Sequence, residues 1–407
     1  MKENKTKPDI RFKGFTEAWE QRKVSKITKF HKQGFYTIED YNDNKKYYLL
    51  RGTDFSENKL LLKDTPKINA TKKDYEAFKT ELGDFLIVRS GTVGTYGIVD
   101  VDIPAIFGSY LIDFRFDMEQ VTNEFFGYFY QSDLFKSQLN KIIQTSANTN
   151  INAENIKSTV ISLPNLDEQR KISEYLGNLD HLITLHQREC DQLKELKKSM
   201  LKKMFPRDES SIPEVRFAGF TDAWEQRKLG DVTQIIMGQS PDGSTYSEKP
   251  KDYILVQGNS DIKDGWVEPR LWTTQMTKKA DVGDLIMSVR APAGSMGKTA
   301  YNVVIGRGVA AIKGNEFIFQ SLIKKDIEGF WKKITTGSTF ESLNSNDIKN
   351  SNLLVPVNEE QIKIGQYFSQ LDNLITLHQR NYNSLNRCKF SKITKNLLIS
   401  HMVFIRK

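Results

Sequence analysis

The chain has 407 residues, of which 38% are hydrophobic and 27% are charged, and its formal net charge is +8 at pH 7. This length and composition are typical of two or three domains with ordinary hydrophobic cores. No apolar run is long enough to cross a membrane and the first residues lack an apolar signal core, so we expect a cytoplasmic protein. The basic surplus is compatible with a polyanionic partner, although it is weak support by itself.

A repeated segment opens each half of the chain. Residues 9–23 read DIRFKGFTEAWEQRK and residues 214–228 read EVRFAGFTDAWEQRK, so 11 of 15 positions are identical. Phe12, Phe15 and Trp19 have the spacing of apolar anchors. We interpret the segment as a packed lead-in peptide rather than a ligand site.

The variable part of the first half, residues 24–162, has the pattern of a mixed α/β domain. Residues 46–51 and 82–88 are predicted to be strands bounded by glycine-containing turns, and residues 105–116 add further strand. Residues 123–143 are aromatic and amphipathic, which predicts one helix.

The second half repeats this plan with different residues. The stretch 253–258 corresponds to 48–52, and 283–290 corresponds to 83–89 with one residue inserted, which pairs Arg89 with Arg290. The frame repeats while its loops diverge, as two domains that read two different short targets would require. A symmetric enzyme would instead repeat its chemistry in both halves.

A heptad pattern runs through residues 164–204, longer than an ordinary globular helix. The seam consists of Ile172, Leu176, Leu179, Ile183, His186, Cys190, Leu193, Lys197, Met200 and Met204. Residues 356–380 repeat this text at a shift of 192 positions. Two copies of one long helix, predicted at about residues 167–205 and 359–397, can therefore pair.

Catalytic motifs are missing from the sequence. The stretch 293–299 resembles a phosphate loop, but Pro292 stands where the first glycine is needed. No Asn-Pro-Pro-Phe/Tyr, G-x-S-x-G or H-E-x-x-H motif occurs. The repeat-paired acids, which are Glu168 with Glu360 and Asp180 with Asp372, are expected on a solvated or interface face rather than in acid–base work.

The histidines and cysteines do not suggest a metal site. Five histidines and two cysteines occur without zinc-ligand spacing, so none is predicted to bind metal. Cys190 and Cys388 both lie in helical seams, where we expect reduced, buried thiols.

Four motifs occur twice and in the same order: the lead-in F-x-G-F-T-x-A-W-E-Q-R-K, a Gly-Asp strand entry, E-Q-x-K-I and L-D-x-L-I-T-L-H-Q-R. Together they closely resemble the specificity subunit of type I restriction–modification systems over nearly the whole chain. The resemblance implies two α/β (α+β) target recognition domains, related by a pseudo-two-fold axis and separated by a long antiparallel two-helix coiled coil.

The resemblance also implies a function and partners. Each recognition domain would bind one half-site of a split double-stranded DNA sequence, and the helices would set the spacer and dock two methyltransferase subunits. Restriction and translocase subunits would join for cleavage. This chain would have no catalytic residue, and S-adenosylmethionine, ATP and Mg would act on the partner subunits.

Six segments are predicted from the repeats and the resemblance. They are a lead-in at 1–23, a recognition domain at 24–163, a long helix at 164–206, a second lead-in at 207–228, a second recognition domain at 229–355 and a second long helix at 356–407.

Candidate DNA contacts are polar side chains at strand ends and in divergent loops, which suit base edges. They are Tyr36, Arg51, Arg89, Ser90, Gln239, Ser240, Gln257, Asn259 and Arg290. Arg89 and Arg290, taken as equivalent, are expected to hold phosphate or a structural carboxylate. Arg51 against Gln257 differs at one equivalent position, which favours base recognition there.

Two other functions stay open at this point. One is a non-catalytic coiled-coil scaffold whose domains bind RNA or protein, and the other is a stand-alone methyltransferase. Salt-dependent binding to a split duplex, lost when the spacer changes, would favour DNA.

His186 and His378 occupy seam positions where apolar residues are expected, and each lies at the midpoint of its predicted helix. An antiparallel pair brings equivalent residues together only near the middle. We therefore predict that the two histidines face each other, with the recognition domains at opposite ends. The alternative is that each histidine faces solvent or a methyltransferase subunit.

Overall fold

The computed structural model describes residues 5–6, 11–38, 44–89, 95–144, 152–207, 210–335 and 342–394. The chain divides into two compact units, residues 1–185 with 381–407 and residues 186–380, and each is described by itself. Both combine mixed sheets with helices, so the predicted α/β class is confirmed. The six segment boundaries drawn from the sequence stay a prediction. Among the described helices, none has both the length and the apolar character of a membrane span.

The first unit is built around a six-stranded sheet. Its strand order is Thr28–Gln33, Leu111–Phe116, Phe85–Val88, Tyr96–Ile98, Lys59–Leu60 and Phe55–Ser56. Two three-stranded sheets accompany it, one of Lys5–Thr6, Trp19–Lys23 and Val160–Leu163, the other of Ala105–Phe107, Tyr47–Leu50 and Lys67–Ile68.

The helices of the first unit include one departure from the prediction. They are Lys72–Phe78, Asn123–Gln131, Asp133–Gln144, Ala153–Ser158 and the first part of Leu166–Lys203, with 3-10 turns at Val24–Lys26 and Gly52–Asp54. The single helix predicted at 123–143 is two helices, because Ser132 adopts an extended backbone. Its hydroxyl donates to the carbonyl of Phe129 and accepts the N–H of Phe135, which satisfies both helix ends.

The second unit repeats the architecture. Its six-stranded sheet has the order Gln234–Met237, Val309–Lys313, Leu285–Ser288, Met296–Lys298, Trp266–Val267 and Ile262–Lys263. A five-stranded sheet consists of Tyr246–Ser247, Leu271–Thr273, Tyr253–Val256, Val303–Ile305 and Lys279–Ala280, and Glu225–Lys228 pairs with Asn352–Val355. The helices are Leu229–Val232, Glu316–Ile327, Phe330–Thr335, Ser345–Lys349 and most of Asn358–Thr394, with 3-10 turns at Gly243–Thr245 and Asn259–Asp261.

Backbone register shows which positions correspond between the two units. The strands Phe85–Val88 and Leu285–Ser288 occupy the same place in their sheets. The next residue donates its N–H over 2.9 Å to the residue just before the neighbouring strand of the sheet, Arg89 to Tyr110 and Val289 to Gly308. The strand therefore contains no insertion, and the predicted equivalence of Arg89 with Arg290 is wrong.

The two long helices are Leu166–Lys203 and Asn358–Thr394, with 38 and 37 residues. Asn165 caps the first, since its side chain accepts the N–H of Glu168 over 2.9 Å. Within the second unit Lys197 contacts Asp372, and Cys190 contacts Gln379. Partner numbers fall as helix numbers rise, so the predicted antiparallel pairing is confirmed there.

The predicted seam accounts for much, though not all, of the burial along the first helix, since Glu168, Gln169 and Leu201 are buried outside it. Buried members are Ile172, Leu176, Leu179 and Cys190, and half-buried members are Ile183, His186, Leu193, Lys197 and Met200. Cys190 is buried, as expected, whereas Cys388 is only half-buried.

A buried ion pair joins each lead-in segment to the first turn of its long helix. Arg11 donates through two nitrogens to the carboxylate of Glu168 at 2.6 and 2.5 Å, and Arg216 does the same to Glu360 at 2.7 and 2.8 Å. Both glutamates have 0% side-chain exposure. The expectation that Glu168 and Glu360 lie on a solvated or interface face is therefore wrong. Each carboxylate is instead the internal anchor of a lead-in peptide.

The lead-in peptides themselves are packed, as predicted. Trp19 is 4% exposed and meets the edge of Phe125, while Trp224 is 3% exposed and meets the edge of Phe317. Each tryptophan thus belongs to the hydrophobic core of its unit.

Asp180 and Asp372 occupy the expected interface positions and have matching partners. Asp180 accepts from the Tyr128 hydroxyl over 3.1 Å and pairs with Lys389. Asp372 accepts from the Gln320 amide over 2.9 Å and pairs with Lys197 over 2.6 Å. Each aspartate therefore links a domain helix to the opposite long helix within its own unit.

Asp113 is a buried carboxyl group in the strand Leu111–Phe116 of the first unit, with 0% exposure and no described hydrogen bond. Burial first, and then the negative charge of Asp84, raises its pKa from the usual 3.8 to about 8. The Arg115 Nε atom, 3.5 Å away, opposes that rise. By strand register the second unit has Ala311 at this position.

Replacing Arg216 should expose the cost of an unpaired buried charge. We expect Arg216→Met to lower the free energy of unfolding by about 3–5 kcal/mol, because Glu360 then stays buried without its partner. The double variant Arg216→Met/Glu360→Leu should recover most of that loss. Denaturant titration is the measurement, with Arg227→Met as the control at a half-exposed surface pair. A single variant as stable as the control would contradict the role of this pair.

Asp113 should make stability depend on pH. Its folded pKa lies above its unfolded value, so its contribution is complete below about pH 4 and declines as the pH rises to about 8. We expect the melting temperature of Asp113→Asn, relative to that of the wild type, to rise steadily from about pH 4 to about pH 8, because each tenfold change in proton affinity is worth about 1.4 kcal/mol. Asp102→Asn, at an exposed position, is the control. Parallel melting curves for wild type and Asp113→Asn across this range would refute the expectation.

Candidate nucleic-acid interface

Strand ends and turns converge at one edge of the second unit, where backbone hydrogen bonds hold them together. Gly306 donates its N–H to the carbonyl of Val256 over 2.7 Å, and Gly238 donates to Val309 over 3.0 Å. Val289 donates to Gly308 over 2.9 Å. The residues that follow these strands are therefore placed side by side on a rigid frame.

Two glycines make this close approach possible. A Cβ atom on Gly308 would lie 2.0 Å from the carbonyl oxygen of Gln257, and one on Gly238 would lie 2.1 Å from the carbonyl oxygen of Gly306. Since no real Cβ tolerates such contacts, any side chain at either position would force the segments apart. The Gly306-Arg307-Gly308 turn thus presents one side chain between two residues that have none.

The converging segments enclose a cleft of about 610 Å³. It brings together four of the five candidates predicted in this half, namely Ser240, Gln257, Asn259 and Arg290. Gln239 is exposed and does not line the cleft, although its backbone is fixed by a hydrogen bond to Ile305 over 2.8 Å. Selecting polar residues at strand ends and in divergent loops therefore identified four residues that line this cleft.

Gln257 has an amide group suited to meeting a ligand. Its backbone N–H donates to Asp261 over 2.7 Å, which fixes the start of the turn. Its side-chain nitrogen is buried in the cleft wall and has no described hydrogen-bond partner. An unpaired buried donor costs about 1–3 kcal/mol, so a rotation of the amide that brings this nitrogen to an acceptor in the cleft would recover free energy.

Two arginines give the cleft its charge. Arg290 and Arg307 are both exposed and line it, and its described lining contains no carboxylate. The backbone N–H of Arg307 donates to the Ser240 hydroxyl over 3.1 Å, which holds the turn in place. The cleft therefore offers guanidinium donors beside an amide and a hydroxyl, a set that suits an anionic or base-like acceptor.

Arg307 is a cleft residue that the sequence prediction missed, because it lies in the turn between strands and not at a strand end. The available signal was an arginine flanked by two glycines between buried runs, which marks a tight turn with one projecting side chain.

The first-half candidates are less uniform. Tyr36 is 74% exposed. Arg51 donates to the Asp54 carboxylate at 3.2 and 3.0 Å and to the carbonyl of Asp64 at 2.9 Å, so its guanidinium braces a turn. The nearest described acceptor of Arg89 is the carbonyl of Ser109, at 3.5 Å. Ser90 lies outside the described residues.

Register nevertheless places Tyr36 and Arg51 where the second unit has Ser240 and Gln257. Phe35 and Gln239 each donate a backbone N–H over 2.8 Å to equivalent carbonyls of a neighbouring strand. Leu50 is paired with Phe107, and Val256 is paired with Ile305, at the same position of equivalent parallel strand pairs. Matching positions thus carry unlike side chains on one shared frame.

The model for the type I restriction modification DNA specificity domain matches residues 16–195 and 221–387. The putative type I restriction enzyme MjaX specificity subunit of Methanocaldococcus jannaschii is 26% identical over 412 residues, covering 96% of this chain and 95% of the relative. The S subunit of a type I restriction–modification system from M. genitalium has a TM-score of 0.64 at 16% identity and covers 98% of this chain and 100% of its own. A structure from work on complex assembly and conformational transition of the type I R-M system has a TM-score of 0.51 at 21% identity, with coverages of 92% and 96%. At these identities the two structures establish a shared fold.

Proposed function

Because the chain belongs to the type I restriction–modification DNA specificity family, we propose that it is a specificity subunit that binds a bipartite double-stranded DNA sequence. Each unit binds one half-site. The second-unit cleft carries this proposal, since it collects Gln257, Asn259 and two arginines on a rigid frame. Arginine pairs with guanine, and glutamine or asparagine with adenine, through two hydrogen bonds each.

Differences between equivalent positions support one half-site per unit. Tyr36 against Ser240 and Arg51 against Gln257 differ in size, charge and hydrogen-bonding groups, although the backbone frame is the same. Unlike side chains at matching positions give the two units unlike surfaces for base edges, although the Arg51 guanidinium is engaged with Asp54 in its own turn. The basic balance of the whole chain adds the phosphate attraction that any duplex partner requires.

The long helices supply docking positions for two methyltransferase subunits. Leu182 and Leu185 are each 40% exposed, and Leu374 and Leu377, at repeat-equivalent positions, are 44% and 52% exposed. Leucines three residues apart lie on one helix face. Two equivalent apolar faces suit two copies of one partner.

In this proposal the partner subunits carry out methyl transfer and DNA cleavage. The methyltransferase subunits bind S-adenosylmethionine and flip the target adenine, and the restriction and translocase subunits use ATP and Mg. This chain is non-catalytic and works beside the DNA in the cytoplasm.

A scaffold that binds RNA or protein is the alternative function, and a methyltransferase acting alone is a third. Salt-dependent binding to a split duplex, lost when one base pair is added to the spacer, separates DNA recognition from the scaffold. Methyl transfer by the purified chain without partners would support the third possibility.

Gln257→Ala tests the cleft. We expect specificity to relax at one position of the second half-site, at a cost of about 1–3 kcal/mol, because a two-bond contact to one base is lost. Competition binding of the assembled methyltransferase complex to duplexes substituted base by base measures this. Gln239→Ala, at an exposed glutamine outside the lining, is the matched control. Equal weakening on every duplex would place Gln257 on phosphate instead.

Exchanging the first variable segment tests the division of labour. Residues 24–162 would be replaced by those of another family member, and the methylated sites of a host carrying the complex would be sequenced. We expect one half-site to change while the other half-site and the spacer stay the same, because the frame and helices are kept. A change in both half-sites would refute one half-site per unit.

A further inference from the structure

Three metal-binding groups converge where the two long helices pair within the second unit. His186 and Glu189 lie on Leu166–Lys203, one turn apart and on the same face, and His378 lies on Asn358–Thr394. The two Nδ1 atoms are 3.1 Å apart, confirming the prediction that the histidines face each other. The Glu189 Oε2 atom is 2.8 Å from Nδ1 of His378 and 3.7 Å from Nδ1 of His186.

The hydrogen-bonding groups of this cluster leave lone pairs that a cation can use. Each neutral imidazole has one N–H, and protons on both Nδ1 atoms would set two donors against each other across 3.1 Å. One lone pair must therefore face the other ring, and the carboxylate adds a negative charge. Two imidazole nitrogens and one carboxylate oxygen thus lie within 3.7 Å of one another. A metal ion between them can accept a lone pair from each.

The geometry fits a small divalent ion. In a tetrahedral site with metal–ligand bonds of about 2.0–2.1 Å, ligand atoms lie about 3.3–3.4 Å apart. The three separations, 2.8, 3.1 and 3.7 Å, bracket that distance. The ligand atoms lie within 4.8 Å of one another as they stand, so coordination requires only small side-chain adjustments.

We propose that Nδ1 of His186, Nδ1 of His378 and Oε2 of Glu189 form a binding site for a divalent transition-metal ion of the Zn²⁺ type. The histidines are 20% and 19% exposed and Glu189 is 39% exposed, so one side of the site stays open to a water molecule as fourth ligand. Two ligands come from one helix and one from the other. The bound ion therefore cross-links the helices and stabilises their register by mass action.

The spacing of ligands explains why no metal site was predicted. Zinc motifs are recognised from ligands close together in sequence, whereas His378 is 192 residues from His186. Only the pairing of the helices brings the third ligand to the other two.

Metal binding by the purified full-length chain tests the site without DNA or partner subunits, so its outcome is separate from that of the proposed function. The protein is stripped with EDTA and titrated with Co²⁺, whose visible absorption reports tetrahedral coordination, and Zn²⁺ is then added as competitor. We expect one Co²⁺ per chain, displaced by Zn²⁺. His186→Gln and His378→Gln should lose the signal, and Glu189→Gln should weaken it.

His181→Gln is the matched control, since this exposed histidine lies on the same helix five residues before His186. It should bind like the wild type. Zn²⁺ should also raise the melting temperature of wild type and His181→Gln, while the two ligand variants should not respond.

A measurement on the wild type alone guards against variants that fold poorly. With ¹⁵N-labelled histidine, Zn²⁺ should shift the imidazole signals of two of the five histidines, and those signals should be the ones missing in His186→Gln and His378→Gln. Absence of saturable binding, an undiminished signal in both ligand variants, or shifts confined to other histidines would overturn the site.

Discussion

The buried arginine–glutamate pair at the start of each long helix is the constraint on which the fold depends. Glu168 and Glu360 sit in the first turn of their helices, where a carboxylate is favoured by the helix dipole. Both are fully buried, so each needs a cation brought to it, and the lead-in peptide supplies one. Its tryptophan then enters the core of the same unit. One charge pair therefore couples the start of a domain to the helix that leaves it.

A frame anchored in this way allows its edge residues to vary. Backbone hydrogen bonds and glycines at points of close approach hold the segments around the cleft, and neither depends on which side chain Gln257 or Arg307 carries. Arg51 occupies the position of Gln257, but its guanidinium donates to the Asp54 carboxylate. The strand that precedes it nevertheless pairs in the same way as the strand before Gln257. The structural requirement lies in the backbone, which leaves the side chains able to carry the recognition chemistry that we propose. Duplication of one domain, followed by divergence of its side chains alone, can therefore produce two recognition domains with different targets.

Local periodicity explains what could be predicted from the sequence. The heptad spacing predicted the start of both long helices and the end of the first to within a few residues, because burial along a helix repeats with that period. The mixed α/β class followed from the alternation of strand and helix patterns, and four cleft residues followed from polar side chains at strand ends and in divergent loops. The helix break at Ser132 was missed, since nothing in the apolar pattern marks a side chain that caps both neighbours.

The remaining errors came from information that only three-dimensional contacts contain. Glu168 looked like a solvated acid because its arginine is 157 residues away. The pairing of Arg89 with Arg290 matched residue types, whereas strand register shows that Arg89 corresponds to Val289. Similar side chains after a strand are weaker evidence of equivalence than the hydrogen bonds of the strand itself.

The polar residues in the helix seam are best understood as determinants of register. An all-apolar seam can slide by one heptad with little change in burial, whereas a polar pair penalises every register but one. Lys197 with Asp372 in the second unit and Lys389 with Asp180 in the first are such pairs, and a slip of seven residues would leave their half-buried charges without partners. His186 and His378 add a third determinant at the position where equivalent residues meet. The proposed task of the protein is to hold two recognition domains at a set spacing, which requires a single register of the helices. That requirement outweighs the additional stability that apolar residues would give at the same positions.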